Sequence, residues 1–313
     1  MTRAYVFPGQ GAQTIGMGKA LAEAYPAAQA VFDEVDAALG ERLSALIWAG
    51  DIDTLTLTAN AQPALMACSL AAVRALDAEG IRVSDAAFVA GHSLGEYSAL
   101  AATGALSITD AACLLRLRGD AMQSAVPVGV GAMAAILGLD LAAVTAVASD
   151  AAQGQVCQAA NDNDPAQVVV SGHTEAVERA AALAKERGAK RALMLPVSAP
   201  FHCALMQPAA DAMAAALAAV TLSVPCVPVV ANVTAAPETD PARLRTLLVA
   251  QITGVVRWRE SVAAMAAQGV TEIWELGAGK ALTGMVRRID RSLATANIAT
   301  PADITAARAA AQE

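Results

Sequence analysis

Short apolar runs alternate with longer stretches of helical period through most of the chain. Residues 4–7 are apolar and end in Pro8-Gly9; a Gly-rich turn follows, then a helical pattern from Met17. Residues 64–76 read as a helix entered through Pro63, and 86–90 as a strand stopped by Gly91. Helices are expected over 96–106 and 110–123. Short buried strands alternating with helices are the signature of a parallel α/β sheet, because each crossover returns the chain to the same edge direction.

The middle of the chain breaks this rhythm. A strand is expected at 132–137, a helix at 141–152, and strands at 156–161 and 167–171 joined by a turn at Asp162-Asn163-Asp164-Pro165. A helix follows over 174–187, with Thr174 as its N-cap and Gly188 as its stop, and then a strand at 191–197. The order β-α-β-β-α-β is that of a ferredoxin-like unit. Pro127, Gly129 and Gly131 precede it, and Pro196 and Pro200 follow. The division expected is therefore a large domain of residues 1–127 and 198–313 with an inserted small subdomain of residues 128–197. The large domain resumes with a helix over 204–220 and strands at 227–231 and 271–276.

Composition narrows the function. Hydrophobic residues make up 56% of the 313, and mean hydropathy is +0.47, which raises the question of a membrane span. A span needs about 20 apolar residues. The purely apolar stretch 212–220 is too short, and its uncharged continuation is broken by Thr221, Ser223, Pro225, Pro228 and Asn232. No transmembrane segment or secretory leader is read. A net charge of −8 and 3% aromatics argue against nucleic acid, which selects basic faces and stacking platforms. Five widely spaced cysteines without a C-x-x-C fit a reducing compartment, with neither disulfides nor a metal site.

Gly91-His92-Ser93-Leu94-Gly95 is a G-x-S-x-G sequence placed after a strand and before a helix. That context is a nucleophile elbow, in which the serine hydroxyl stands above the sheet at the positive end of a helix. The Leu94 N–H is then one oxyanion donor. A serine needs a base, and there are three histidines. His92 sits beside the serine and points away from it; His173 reads as a turn or capping residue. His202 lies where the chain re-enters the large domain, a cleft-wall position, and is the base expected. Several acidic residues could orient it, and spacing does not choose among them. The Gly-rich turn 7–13 could cradle a phosphate or supply a second oxyanion donor, and lacks the spacing of a dinucleotide or P-loop motif. Gly277-Ala278-Gly279-Lys280 reads as a strand-to-helix turn, and the basic pairs Lys190-Arg191 and Arg287-Arg288 as solvated surface. A carboxylated acyl group would call for a bidentate arginine, and either Arg116 or Arg118 could serve.

Taken together, these residues resemble the malonyl-CoA:acyl carrier protein transacylases of dissociated fatty acid synthesis. The resemblance runs along the whole chain: FPGQGAQ at 7–13, AQPALMA at 61–67, GHSLGEYSAL at 91–100, RLRGDAMQ at 116–123 and GAMAAILGL at 131–139. It continues through N-x-N-x-P-x-Q-V-V-V-S-G-H at 161–173, SAPFHCALM at 198–206 and WELGAGKALTG at 274–284.

The resemblance implies an α/β-hydrolase-like large domain with an inserted ferredoxin-like small one. It implies Ser93 as the acylated nucleophile, His202 as its base and Arg118 as the clamp for the malonyl carboxylate. Gln10 and Leu94 would offer their N–H groups to the oxyanion. Gln251 would orient His202 through its main-chain carbonyl, and Asn161 would touch coenzyme A. Substrates would be malonyl-CoA and holo acyl carrier protein. No metal or cofactor is expected, and a cytoplasmic monomer is. Transfer for polyketide assembly and hydrolysis of an acyl thioester are the alternatives. Ala12 stands where the family often has Ser, and Phe201 before His202 accompanies malonyl rather than methylmalonyl use in related polyketide acyltransferases.

Overall fold

The computed structural model describes residues 2–311. Ten strands form two sheets: β1 (Arg3–Phe7), β2 (Phe88–Gly91), β3 (Gly131–Leu137), β4 (Cys157–Asp164), β5 (Gln167–His173), β6 (Arg191–Met194), β7 (Val229–Ala231), β8 (Ala236–Glu238), β9 (Glu272–Leu276) and β10 (Ala294–Ile298). The larger sheet has the order β10-β9-β1-β2-β7-β8, parallel throughout except for the antiparallel edge strand β8. Its central strand β1 is buried on both faces, which is why residues 4–7 are all apolar rather than alternating. One face carries Tyr5 and Phe7 into the main helical core; the other carries Ala4 and Val6 against Trp258 and Val262.

The smaller sheet has the order β4-β5-β3-β6, all antiparallel, which is the ferredoxin-like arrangement. Here β3 and β5 alternate. Ala134, Ile136, Val168 and Val170 pack under helices Leu141–Ala152 and Thr174–Glu186. Met133, Ala135 and Val169 face the other way, toward Leu195, Val197 and Phe201. One face of the small sheet is thus its own core, and the other is a wall of the cleft between the two sheets.

Several expected boundaries move, most of them for a tertiary reason. The turn expected at 162–165 is instead the end of β4, and only Pro165-Ala166 turn. Asp162 and Asp164, turn formers by composition, are 1% exposed by side chain, because Arg259 and Arg288 of the large domain pair with them at 2.9 and 2.7 Å. Arg288 is accordingly not the free surface charge that its sequence suggests. The same strand reaches the large domain through its backbone: Asp162 N donates to Val256 O and Val256 N to Ala160 O, both at 2.9 Å.

Pro63 does not open a helix; it lies inside Thr58–Ala78. The turn before it is held by Leu57 O, which accepts from Asn60 and Ala61. Gly119 presses on it so closely that a Cβ there would lie 2.5 Å from the Ala59 Cα. Thr174 is not the N-cap of its helix; His173 occupies that position, and the Thr174 hydroxyl donates to Gly129 O instead. The strand expected at 191–197 stops at Met194, since Pro196 has no N–H to continue a ladder. The helix expected at 204–220 begins as a 3₁₀ turn, Ala204–Met206, before Gln207–Ala219.

Candidate active site

The cleft between the sheets has a volume of about 390 Å³, and Ser93, His202, Arg118, Gln10, Leu94 and Asn161 all border it. Its geometry starts at the elbow. β2 ends at Gly91 and a helix starts at Gly95 (Gly95–Ala102), leaving three residues to reverse direction. Ser93 sits at φ 54°, a left-handed conformation that a non-glycine residue adopts only under constraint. Both flanking glycines are obligatory by space. A Cβ on Gly91 would lie 1.8 Å from the Gly95 carbonyl carbon, and one on Gly95 would lie 2.3 Å from Phe7 O.

The Ser93 backbone is pinned on both sides. Its N–H donates to Asn232 Oδ1 at 2.8 Å, and its C=O accepts from Gln251 Nε2 at 3.0 Å. Asn232 in turn donates through Nδ2 to Gly91 O at 2.6 Å.

The Ser93 hydroxyl lies 2.8 Å from His202 Nε2, and His202 Nδ1 lies 2.8 Å from the main-chain oxygen of Gln251. A carbonyl oxygen only accepts, so Nδ1 carries the proton and Nε2 presents its lone pair to the hydroxyl. Burial, and then the nearby Arg118 cation, push the His202 pKa down to about 3. The ring is therefore neutral at physiological pH. Ser93 and His202 form a dyad with a peptide carbonyl where a triad has a carboxylate, which is why no acidic residue stood out from spacing.

Arg118 is 1% exposed. Its Nη1 donates to Gln62 Oε1 at 2.8 Å, and its Nη2 donates to Gln251 Oε1 at 2.9 Å and to Ser93 Oγ at 3.1 Å. Arg116 points elsewhere, to Asn60 and Glu41, and Arg118 is the one of the two that borders the cleft. Among the described residues neither the Gln10 nor the Leu94 N–H is taken by a protein hydrogen bond. The floor of the cleft is apolar, with Met122, Met133, Val169 and Phe201 contributing.

His92 turns away from the hydroxyl, as adjacent residues on an elbow must, and its Nε2 lies 2.9 Å from Asn163 Oδ1. His173 accepts from Val156 N at 2.9 Å, well inside the small subdomain. Four residues at the site were not singled out from the sequence: Gln62, Asn163, Asn232 and Glu96. Each gains its place from contacts with segments 56 to 155 residues away. The family motifs contain three of them, and that was the one signal available. Among the described residues no cluster of His, Cys, Asp and Glu could hold a metal ion, and no helix is long and apolar enough to cross a membrane.

Comparison with known proteins places this geometry. Residues 4–300 match the acyl transferase domain family. The malonyl CoA-acyl carrier protein transacylase of Escherichia coli (strain K12) is 49% identical over 304 residues, covering 97% of this chain and 98% of that one. The crystal structure of the acyl-carrier-protein S-malonyltransferase from Bartonella henselae is 53% identical and superposes with a TM-score of 0.98 over 100% of both chains. A malonyl-transacylase solved in complex with a type II polyketide synthase acyl carrier protein is 43% identical, with a TM-score of 0.96 over 99% of this chain and 100% of that one.

Proposed function

The chain belongs to the acyl transferase domain family, and we propose that it moves a malonyl group from malonyl-CoA to the phosphopantetheine thiol of an acyl carrier protein through a malonyl-serine intermediate. One observation carries the reading: a neutral imidazole nitrogen and a buried guanidinium both meet the Ser93 hydroxyl, at 2.8 and 3.1 Å. The first activates a nucleophile, and the second gives a carboxylated acyl chain somewhere to bind.

In the first half-reaction Ser93 Oγ attacks the thioester carbonyl as its proton passes to His202 Nε2. The resulting oxyanion is held by the N–H groups of Gln10 and Leu94; one such donor is worth about 10²–10³ in rate. The C–S bond breaks, and His202 returns the proton to the coenzyme A thiolate. In the second half-reaction the carrier thiol attacks the acyl-serine, its proton passes to His202, the ester C–O bond breaks and Ser93 regains its proton. Gln251 positions His202 through its carbonyl. Arg118 releases Ser93 Oγ to pair with the malonyl carboxylate, and Asn161 on the opposite wall contacts coenzyme A. Every step uses side chains and backbone amides, so no resident cofactor is called on. We place the enzyme in the cytoplasm, as a monomer serving fatty acid synthesis.

The likeness to a transacylase of polyketide assembly favours a second reading, in which the same chemistry loads a polyketide carrier. The test is to mix the protein with radiolabelled malonyl-CoA, with and without holo carrier, beside a Ser93→Ala variant. Label should rest on the wild-type chain alone, move to the carrier when it is added, and be absent from the variant. Release of free malonate with an unlabelled carrier would make the protein a hydrolase. Comparing fatty acid and polyketide carriers separates the two pathways.

A further inference from the structure

Glu96 is a buried carboxylate that the chemistry above does not use. It lies one residue into the elbow helix, 1% exposed, and its backbone N–H donates to Ser93 O at 3.0 Å. Its Oε2 accepts from Gln251 Nε2 at 2.8 Å and from the Asn232 backbone N–H at 3.1 Å. These two partners are the residues that pin Ser93, Gln251 on its carbonyl and Asn232 on its N–H. Gln251 also supplies the carbonyl that holds His202 and the amide oxygen that holds Arg118. The contacts of Gln251 and Asn232 that place Ser93, His202 and one side of Arg118 therefore converge on one carboxylate oxygen.

The charge matters as much as the contacts. The Gln251 amide is sandwiched between a cation and an anion. Its oxygen faces Arg118, which can only donate, and its nitrogen faces Glu96, which when ionised can only accept. That polarity forbids the flipped amide. A neutral group at 96 removes one of the two charges that hold the amide in this sense; a flipped amide would present N–H to the guanidinium and cost Ser93 O one of its two donors, the Glu96 N–H remaining.

We propose that Glu96 is an anionic positioning residue for Ser93, His202 and Arg118, acting through the fixed amide of Gln251 and the backbone of Asn232. The inference rests on Ser93 being the nucleophile. Burial pushes the Glu96 carboxyl up to about 7, against the lowering pull of the Asn232 N–H, the Gln251 amide and Arg118. Arg118, from the helix Ile108–Ser124, is the charged group facing it. His202 lies beyond Gln251, Tyr97 is its neighbour in the helix, and Asn232 and Gln251 are uncharged. The anion that fixes the site therefore titrates near neutrality, well above His202, whose lowered value is about 3.

The experiment follows acylation of Ser93 between pH 5.5 and 9 in the wild type, Glu96→Gln and Glu96→Ala. Two reagents are used, malonyl-CoA and a fluorophosphonate, which reacts with an activated serine whatever the natural acyl donor. The wild-type rate with both reagents should fall on the acid side with a midpoint near 7. Glu96→Gln, which keeps size and hydrogen-bonding capacity but not charge, should react about 10-fold slower or worse at pH 8 with little change in KM, and its acid limb should vanish. Glu96→Gln at wild-type speed, with only Glu96→Ala impaired, would reduce Glu96 to a structural acceptor and overturn the proposal. So would a wild-type fluorophosphonate profile flat across this range, which decides the matter even if neither variant folds. Failure of malonyl transfer with the fluorophosphonate profile intact would instead count against the substrate assignment.

Discussion

Replacing Arg118 by alanine should change which acyl donor the protein prefers, not merely how fast it works. The guanidinium is fully buried and holds three acceptors, the side chains of Gln62, Gln251 and Ser93. Its loss orphans two amide oxygens and removes the cation that balances Glu96, so every donor suffers from a loosened site. Malonyl-CoA suffers in addition the loss of its carboxylate's partner. A hydrogen bond to a charged group contributes about 1.5–3 kcal/mol. At about 1.4 kcal/mol per decade, the ratio of kcat/KM for malonyl-CoA over acetyl-CoA should drop by roughly 10- to 100-fold. The ratio is the quantity to measure, because damage to the scaffold divides out of it. Steady-state transfer to holo carrier with both donors, in wild type, Arg118→Ala and Arg118→Lys, gives the answer. Lysine keeps the charge but not the fork, and should recover part of the ratio. Equal losses for the two donors would remove Arg118 from the clamp role and leave it a scaffold for Gln251.

Two further outcomes follow from buried charges. Arg259→Ala or Arg288→Ala strips the partner from Asp162 or Asp164, each only 1% exposed; because the arginines themselves are 34% and 51% exposed, the loss should be about 1–2 kcal/mol rather than the larger cost of a wholly buried pair, read as a melting point lower by a few degrees. The pH dependence of stability carries two opposing signs. His202, lowered by burial to about 3, lets the unfolded chain take up a proton first, so its contribution is full above about 6.5 and is lost as pH falls. Glu96, raised by burial to about 7, lets the folded chain take up a proton first, so its contribution is full below about 4.5 and is lost as pH rises through 7. The two offset each other between about pH 4.5 and 6.5. Glu96→Gln should expose the His202 slope, about 1 kcal/mol per pH unit toward acid, in denaturant titrations of that window; a variant whose stability stays parallel to that of the wild type would contradict both assignments.

What could be read from sequence was whatever is local. The elbow is local: strand, two glycines and helix all lie between residues 88 and 102, and space alone requires both glycines. The βαββαβ order of the small sheet is local too, since each element announces itself by period and punctuation. His202 was legible for a different reason, that three histidines leave little to choose from. Arg118 and Gln251 came only with the family resemblance, because an arginine on a Leu/Ala helix and a glutamine near the end of another look the same as their neighbours. Most of the failures were tertiary. Asp162 and Asp164 have turn chemistry and became strand because two arginines more than 90 residues away neutralise them. Pro63 stayed inside a helix because a neighbouring helix clamps the turn ahead of it. Asn232 and Glu96 are 136 residues apart, and no pattern along the chain brings them together.

The position of β1 has a consequence for biosynthesis. It leaves the ribosome ahead of its neighbours β2 and β9, and Arg3 finds its partner Glu272 only 269 residues later. At about 5–20 residues per second that interval is roughly 10–50 s. Throughout it one flank of β1 lacks its mate, and an unpaired parallel strand of Ala-Tyr-Val-Phe is sticky. Ser93 is likewise made 109 residues before His202 and 158 before Gln251, which pins its carbonyl. A nascent chain therefore carries an inert hydroxyl until translation has passed Gln251.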